Sequence, residues 1–107
     1  MTVPLRPPDD DGDEPRQAFL VEVYAATRQV ASDGDAAIKR ATSAHGDGRP
    51  ATELLSSIFI PGDETAFYLV SARQEAHVRS LLERADVRFD RIVLADAETL
   101  ARRSLSP

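Results

Sequence analysis

The sequence feature that most constrains the fold is a pair of β-rich apolar runs joined by a four-residue turn. Leu54-Leu55-Ser56-Ser57-Ile58-Phe59-Ile60 leads into Pro61-Gly62-Asp63-Glu64 and then Thr65-Ala66-Phe67-Tyr68-Leu69-Val70. Proline and glycine supply turn geometry between two strand-length segments, so the runs are expected to close into an antiparallel hairpin. If the turn uses those four residues, Ile60 faces Thr65 and Ser57 faces Tyr68. The two-residue pleat then sorts the side chains onto two faces.

A strand precedes this hairpin and another follows it. Phe19-Leu20-Val21-Glu22-Val23-Tyr24 is rich in β-branched and aromatic residues, and Arg91-Ile92-Val93-Leu94-Ala95 reads the same way. Between the first strand and the hairpin, Ser32 with Asp35 three residues on has capping-box spacing. Ala36, Ala37, Lys39, Arg40 and Ala41 continue a helix, with Gly46 where a left-handed cap belongs. After the hairpin a second helix is expected to open at Ser71, with Gln74 at capping distance. It carries Val78, Leu81, Leu82 and Ala85 at the i, i+3, i+4, i+7 spacing of one face. The order is β-α-β-β-α-β, an α+β sandwich with a four-stranded antiparallel sheet and two helices on one face.

The chain has 107 residues, room for a single domain burying only roughly 60 to 65% of the surface its unfolded chain exposes. Residues 1–17 hold the acidic cluster Asp9-Asp10-Asp11-Gly12-Asp13-Glu14 and little apolar bulk, and are expected to be a disordered tail before a domain spanning 18–97. Residues 98–107 read as a second tail. The alternating Asp9, Asp11 and Asp13 do not make a calcium loop, because Gly12 falls too early and Leu20 stands where a bidentate acid is required. No cysteine is present, which excludes disulfides, thiolate metal sites and cysteine nucleophiles. A net charge of -5, with arginines spread along the chain, excludes the basic footprint of nucleic-acid binding. No run of about 18 apolar residues is available to cross a membrane, and a cytoplasmic location is the expectation.

The hairpin faces point to a partner. On the expected register Leu54, Ser56, Ile58, Phe67 and Leu69 join Phe19, Val21, Val23, Ile92 and Leu94 beneath the helices. Leu55, Ser57, Phe59, Tyr68 and Val70 then join Leu20, Glu22, Tyr24, Arg91 and Val93 on the opposite face, and a loop one residue shorter would exchange the hairpin sets. With both helices on one side, the opposite face is too apolar to leave in water, and a second copy packed sheet to sheet would cover it. Glu22, Tyr24, Ser57, Tyr68 and Arg91 would then face the space between the sheets, either as an internal ion-pair network or as a pocket for an organic acid, an aromatic molecule or an ion.

Three segments carry a resemblance: Phe19 through Tyr24 as quoted above, Leu55-Ser56-Ser57-Ile58-Phe59-Ile60-Pro61-Gly62-Asp63-Glu64-Thr65, and Ala85-Asp86-Val87-Arg88-Phe89-Asp90-Arg91-Ile92-Val93. Together they resemble the small nickel-binding-protein-like family, otherwise a domain of unknown function. The resemblance implies a ferredoxin-like fold paired as a dimeric α+β barrel and transition-metal binding, nickel foremost. The imidazoles available to such a site are His45, at the expected end of the first helix, and His77, beside the apolar stripe of the second. Each reads first as a structural or surface residue, and as ligands they would need carboxylates such as Asp63, Glu64 or Glu22. No nucleophile elbow, phosphate loop or His-Glu-x-x-His spacing is present.

The leading expectation is therefore a non-enzymatic dimeric binding or accessory protein holding a metal ion or small ligand. Two alternatives stand beside it. One is a cofactor-independent oxygenase or isomerase of the dimeric α+β barrel type, using Glu22, Tyr68 or His77 for proton transfer. The other is a small subunit of a larger assembly.

Overall fold

The structure, a computed structural model, describes residues 15–43 and 51–95. Its elements are β1 (Gln17–Tyr24), α1 (Arg28–Ser43), β2 (Thr52–Ile60), a single 3-10 turn at Pro61–Asp63, β3 (Thr65–Ala72), α2 (Glu75–Ala85) and β4 (Arg91–Ala95). The sheet order is β2-β3-β1-β4, with every neighbouring pair antiparallel. This is the ferredoxin-like α+β arrangement. The acidic cluster Asp9 to Glu14, His45 and Gly46 lie outside the described residues.

The hairpin register is as expected: Ile60 pairs with Thr65 and Ser57 with Tyr68. The turn differs in one respect. The left-handed residue is Glu64, at φ 50°, whose N–H donates to the Pro61 carbonyl at 3.1 Å, and Gly62 has open space around it. A bulge between Leu54 and Ser56 leaves Leu55 without a partner on β3 and half out in solvent.

The joining of the hairpin faces to the outer strands is the opposite of the expected one. In the β1–β3 ladder Phe19 faces Val70, Val21 faces Tyr68 and Val23 faces Ala66. Directly opposed residues share a side of the sheet. Tyr68 and Val70, with Ala66 and Ala72, therefore lie beneath the helices, while Ile58, Phe67, Leu69 and Ser56 lie on the other side. Turn length was not the deciding variable; the pairing of β3 with the distant β1 was. Leu54 does reach the helix side, because the bulge resets the alternation upstream of it.

α1 starts a turn earlier than the Ser32–Asp35 box suggested. Thr27 caps it, its Oγ1 accepting from the Val30 N–H at 3.2 Å, so Ser32 and Asp35 are interior helix residues. α2 starts later than Ser71, because β3 runs on to Ala72 in ladders with both Gln17 and Thr52. It ends at Asp86, φ 60°, where Asp86 N–H bonds to Glu83 O and Val87 N–H reaches Leu82 O, a Schellman closure. The buried residues of α2 are Val78, Leu81 and Leu82, as its spacing predicted.

The core lies between this helix pair and one face of the sheet: Phe19, Val21 and Val23 from β1, Ala66, Tyr68, Val70 and Ala72 from β3, Ala31, Ile38 and Ala41 from α1, and the three apolar residues of α2. Tyr68 is the largest side chain buried to this degree, 1% exposed. Its hydroxyl donates to the Ala31 carbonyl at 2.7 Å, and it lies so close to Gly34 that a side chain there would collide with it. That contact explains a glycine inside the helix. At the upstream end of the described residues, Gln17 belongs to β1 and the Arg16 side chain bonds Ser71 and the Ala51 carbonyl.

Candidate functional site

The side of the sheet away from the helices is uncovered among the described residues, and its composition is set by four cross-strand rows. One row runs Ile60, Thr65, Tyr24; the next Ile58, Phe67, Glu22, Arg91; the third Ser56, Leu69, Leu20, Val93; and the end row Glu53, Ser71, Ala18, Ala95. Tyr24 is 60% exposed, Ile58 54% and Val93 39%, so this is a real apolar surface. The correction to the hairpin faces leaves it about as apolar as the sequence reading had it, since Ile58, Phe67, Leu69 and Ser56 replace Phe59, Tyr68, Val70 and Ser57.

Charge enters this face as an ion pair in the middle row, that of Glu22 and Arg91, and as the exposed Glu53 in the end row. Arg91 Nε donates to Glu22 Oε1 at 2.9 Å, a cross-strand pair that the β1–β4 register places opposite each other. Glu22 is further held through its backbone, since its carbonyl accepts from the Asp90 N–H at 2.7 Å. The Glu22 side chain is 31% exposed against 70% for Arg91. The carboxylate thus sits down among its neighbours while the guanidinium stands up from the sheet. At the rim, Tyr24 donates to Glu64 Oε1 at 3.3 Å, and the Glu64 charge raises the Tyr24 hydroxyl above the ordinary phenol pKa. The expected trio of Glu22, Tyr24 and Arg91 is therefore brought together on one face.

Ser57 and Tyr68, expected in the same constellation, are on the other side of the sheet. They line a cleft of about 220 Å³ between α1 and β2, with Asp35, Phe59 and Arg28. Ser57 donates to Asp35 Oδ1 at 2.7 Å, Lys39 reaches Asp35 Oδ2 at 3.1 Å, and the Arg28 guanidinium lies 5.9 Å from the Phe59 ring centre. Partial burial pushes the Asp35 carboxyl up, but the bonds from Ser57 and Lys39 and the Lys39 charge outweigh it and hold its pKa below the usual value. Burial raises the Tyr68 hydroxyl, and the Asp35 and Asp33 charges raise it further. A phenol so placed, already donating to a helix carbonyl, does not exchange protons with a substrate on the open face. Asp35 had been read as a helix cap; nothing local in the sequence indicates that it ties the helix to Ser57 across the edge strand.

His77 is half-buried on α2, with Nδ1 shielded from solvent and without a hydrogen-bond partner. Among the described residues no three His, Cys, Asp or Glu side chains converge as metal ligands. Asp63 and Glu64 serve the turn: Thr65 Oγ1 donates to the Asp63 carbonyl at 2.8 Å, and the Glu64 carbonyl accepts from Ala25 N–H at 2.9 Å. No described helix is long and apolar enough to cross a membrane.

No protein-family model matches the chain, and no curated protein matches it. Among solved structures, the chain is similar to the crystal structure of SCO4226 from Streptomyces coelicolor A3(2). The likeness has a TM-score of 0.57 at 15% identity, covering 70% of this chain and 90% of that one. At that identity the similarity is one of fold.

Proposed function

We propose that the protein is a non-enzymatic homodimeric binding protein, two copies pairing through the open sheet face and enclosing a small ligand between them. The observation that carries this reading is the set of four rows, a largely apolar sheet face with one balanced ion pair, Glu53 at one end, and no helix over it among the described residues. A second copy is the occupant that suits its charge. The chain as a whole carries -5, so copies repel at most orientations. The middle row, in contrast, is neutral in sum, Glu22 against Arg91, and adds no repulsion of its own when two copies meet there.

Size favours it as well. Strands spaced ~4.8 Å apart and up to ~26 Å long present a flat footprint of roughly 400–500 Å². Side-chain relief brings that toward the ~800 Å² per partner of a standard interface. A transition metal, as the sequence resemblance implies, enters this proposal only through that resemblance, with His77 as its described imidazole and His45 outside the described residues.

Sedimentation velocity on the intact chain tests the proposal, with Phe67→Glu as the companion variant. Phe67 points away from the core of its own chain, so the charge leaves the single-chain fold standing and should convert dimer to monomer. A wild-type monomer at tens of micromolar would end the reading, as would a dimer indifferent to Phe67→Glu. Capture of a different, fixed protein partner in place of a second copy would also replace it.

A further inference from the structure

The ion pair in the middle row is incomplete in a specific way. A guanidinium is a planar fork whose preferred partner is a carboxylate engaged at two nitrogens together. Arg91 uses Nε alone on Glu22, and its terminal amino groups have no partner among the described residues. Glu22 is the less exposed of the two side chains, and the unused side of the Arg91 fork is open to solvent on this face. Val93 lies two residues along the same strand face, Leu20 opposite Val93, and Phe67 one strand further, on the far side of Glu22.

We propose that Arg91, aligned by Glu22, anchors a binding site for a small organic monocarboxylate whose apolar part lies over Leu20, Phe67 and Val93. This rests on the dimer reading in that the second copy closes the site. Once the face is covered, guanidinium N–H groups without acceptors become costly, and a ligand carboxylate supplies those acceptors. A flanking apolar surface with one fixed polar anchor is also the general build of a small-molecule site. A carboxylate fits better than a cation, because the guanidinium is the more exposed member of the pair. It fits better than a neutral apolar ligand, which would leave the fork unsatisfied.

The probe is benzoate, with benzamide as its uncharged counterpart, titrated into the full-length protein and followed by NMR at the Arg91 Nε–H and the Leu20 and Val93 methyls. Sedimentation is run on the same samples. The expected result is saturable shifts with benzoate, none with benzamide, and binding weakened about tenfold or more by Arg91→Lys, which keeps the charge and loses the fork. The net charge of -5 helps here, since long-range attraction cannot gather an anion onto this protein.

A dimer whose Arg91 region does not respond to benzoate would overturn the site and leave the dimer reading standing, as would a response that Arg91→Lys leaves unchanged. A monomer that binds benzoate through Arg91 would support the site and refute the dimer. A monomer that does not bind it would refute both.

Discussion

Gly34 and Tyr68 make a prediction that can be worked from the structure atom by atom. Glycine within a helix costs about 1 kcal/mol relative to alanine, so Gly34→Ala would ordinarily stabilise α1. Here an added Cβ would collide with the Tyr68 hydroxyl and stand 3.1 Å from the ring carbon that bears it. The ring cannot retreat, being 1% exposed with its hydroxyl bonded to Ala31. Overpacking a tight core costs roughly 1–3 kcal/mol, which exceeds the propensity gain, so Gly34→Ala should destabilise the wild-type chain by about 1 kcal/mol. Tyr68→Phe alone removes one buried hydrogen bond and should cost about 1 kcal/mol.

In the Tyr68→Phe background the colliding oxygen is gone and only the close ring carbon remains, a contact that a shift of a few tenths of an ångström relieves. Gly34→Ala should then be neutral or stabilising, leaving a favourable coupling of about 1–2 kcal/mol between the two sites, well outside the ~0.3–0.5 kcal/mol within which independent sites add. Urea denaturation of the four proteins measures it. Thermal melts should agree, with ~1 kcal/mol moving Tm by roughly 4–8 °C in a domain of this size. The reasoning fails if Gly34→Ala raises the stability of the wild-type chain, or if its effect is the same in both backgrounds.

Other outcomes follow from single contacts. Asp35 has a folded pKa below its unfolded value, so its contribution is present above that unfolded value, about 3.9, and disappears as pH falls through the folded pKa. Ser57→Ala removes one of the bonds that lower it and should reduce the loss in urea midpoint between about pH 5 and pH 2. Asp86→Gly should stabilise by about 1 kcal/mol by relieving a left-handed residue in the Schellman closure, and Asp86→Ala should give no such gain in the same melt. By contrast, Glu75→Gln should change stability by no more than about 0.5 kcal/mol, because the Glu75–Arg79 pair is exposed on one helix.

The sequence by itself determined whatever depends on neighbours along the chain. The 54–70 hairpin and its register, the 91–95 strand, the apolar face of α2 and the α+β order all follow from local periodicity and turn chemistry read segment by segment. Helix ends were less legible. The Ser32–Asp35 spacing imitates a cap, while the true one at Thr27 is a single hydroxyl on an unremarkable residue.

Which hairpin face lies under the helices was decided only in three dimensions. That choice depends on how β3 meets β1, strands more than forty residues apart, and a one-residue slip in that ladder exchanges every side chain. Tyr68 misled for a physical reason: a tyrosine reads as a residue for a mixed face, yet here it is buried because the Ala31 carbonyl satisfies its hydroxyl and Gly34 leaves room for it. Glu22 and Arg91 could be suspected as partners from their strands. That Arg91 would spend only one side of its fork, and stand above an apolar sheet with the rest free, required the register of β1 against β4 and the depth of each side chain in that face.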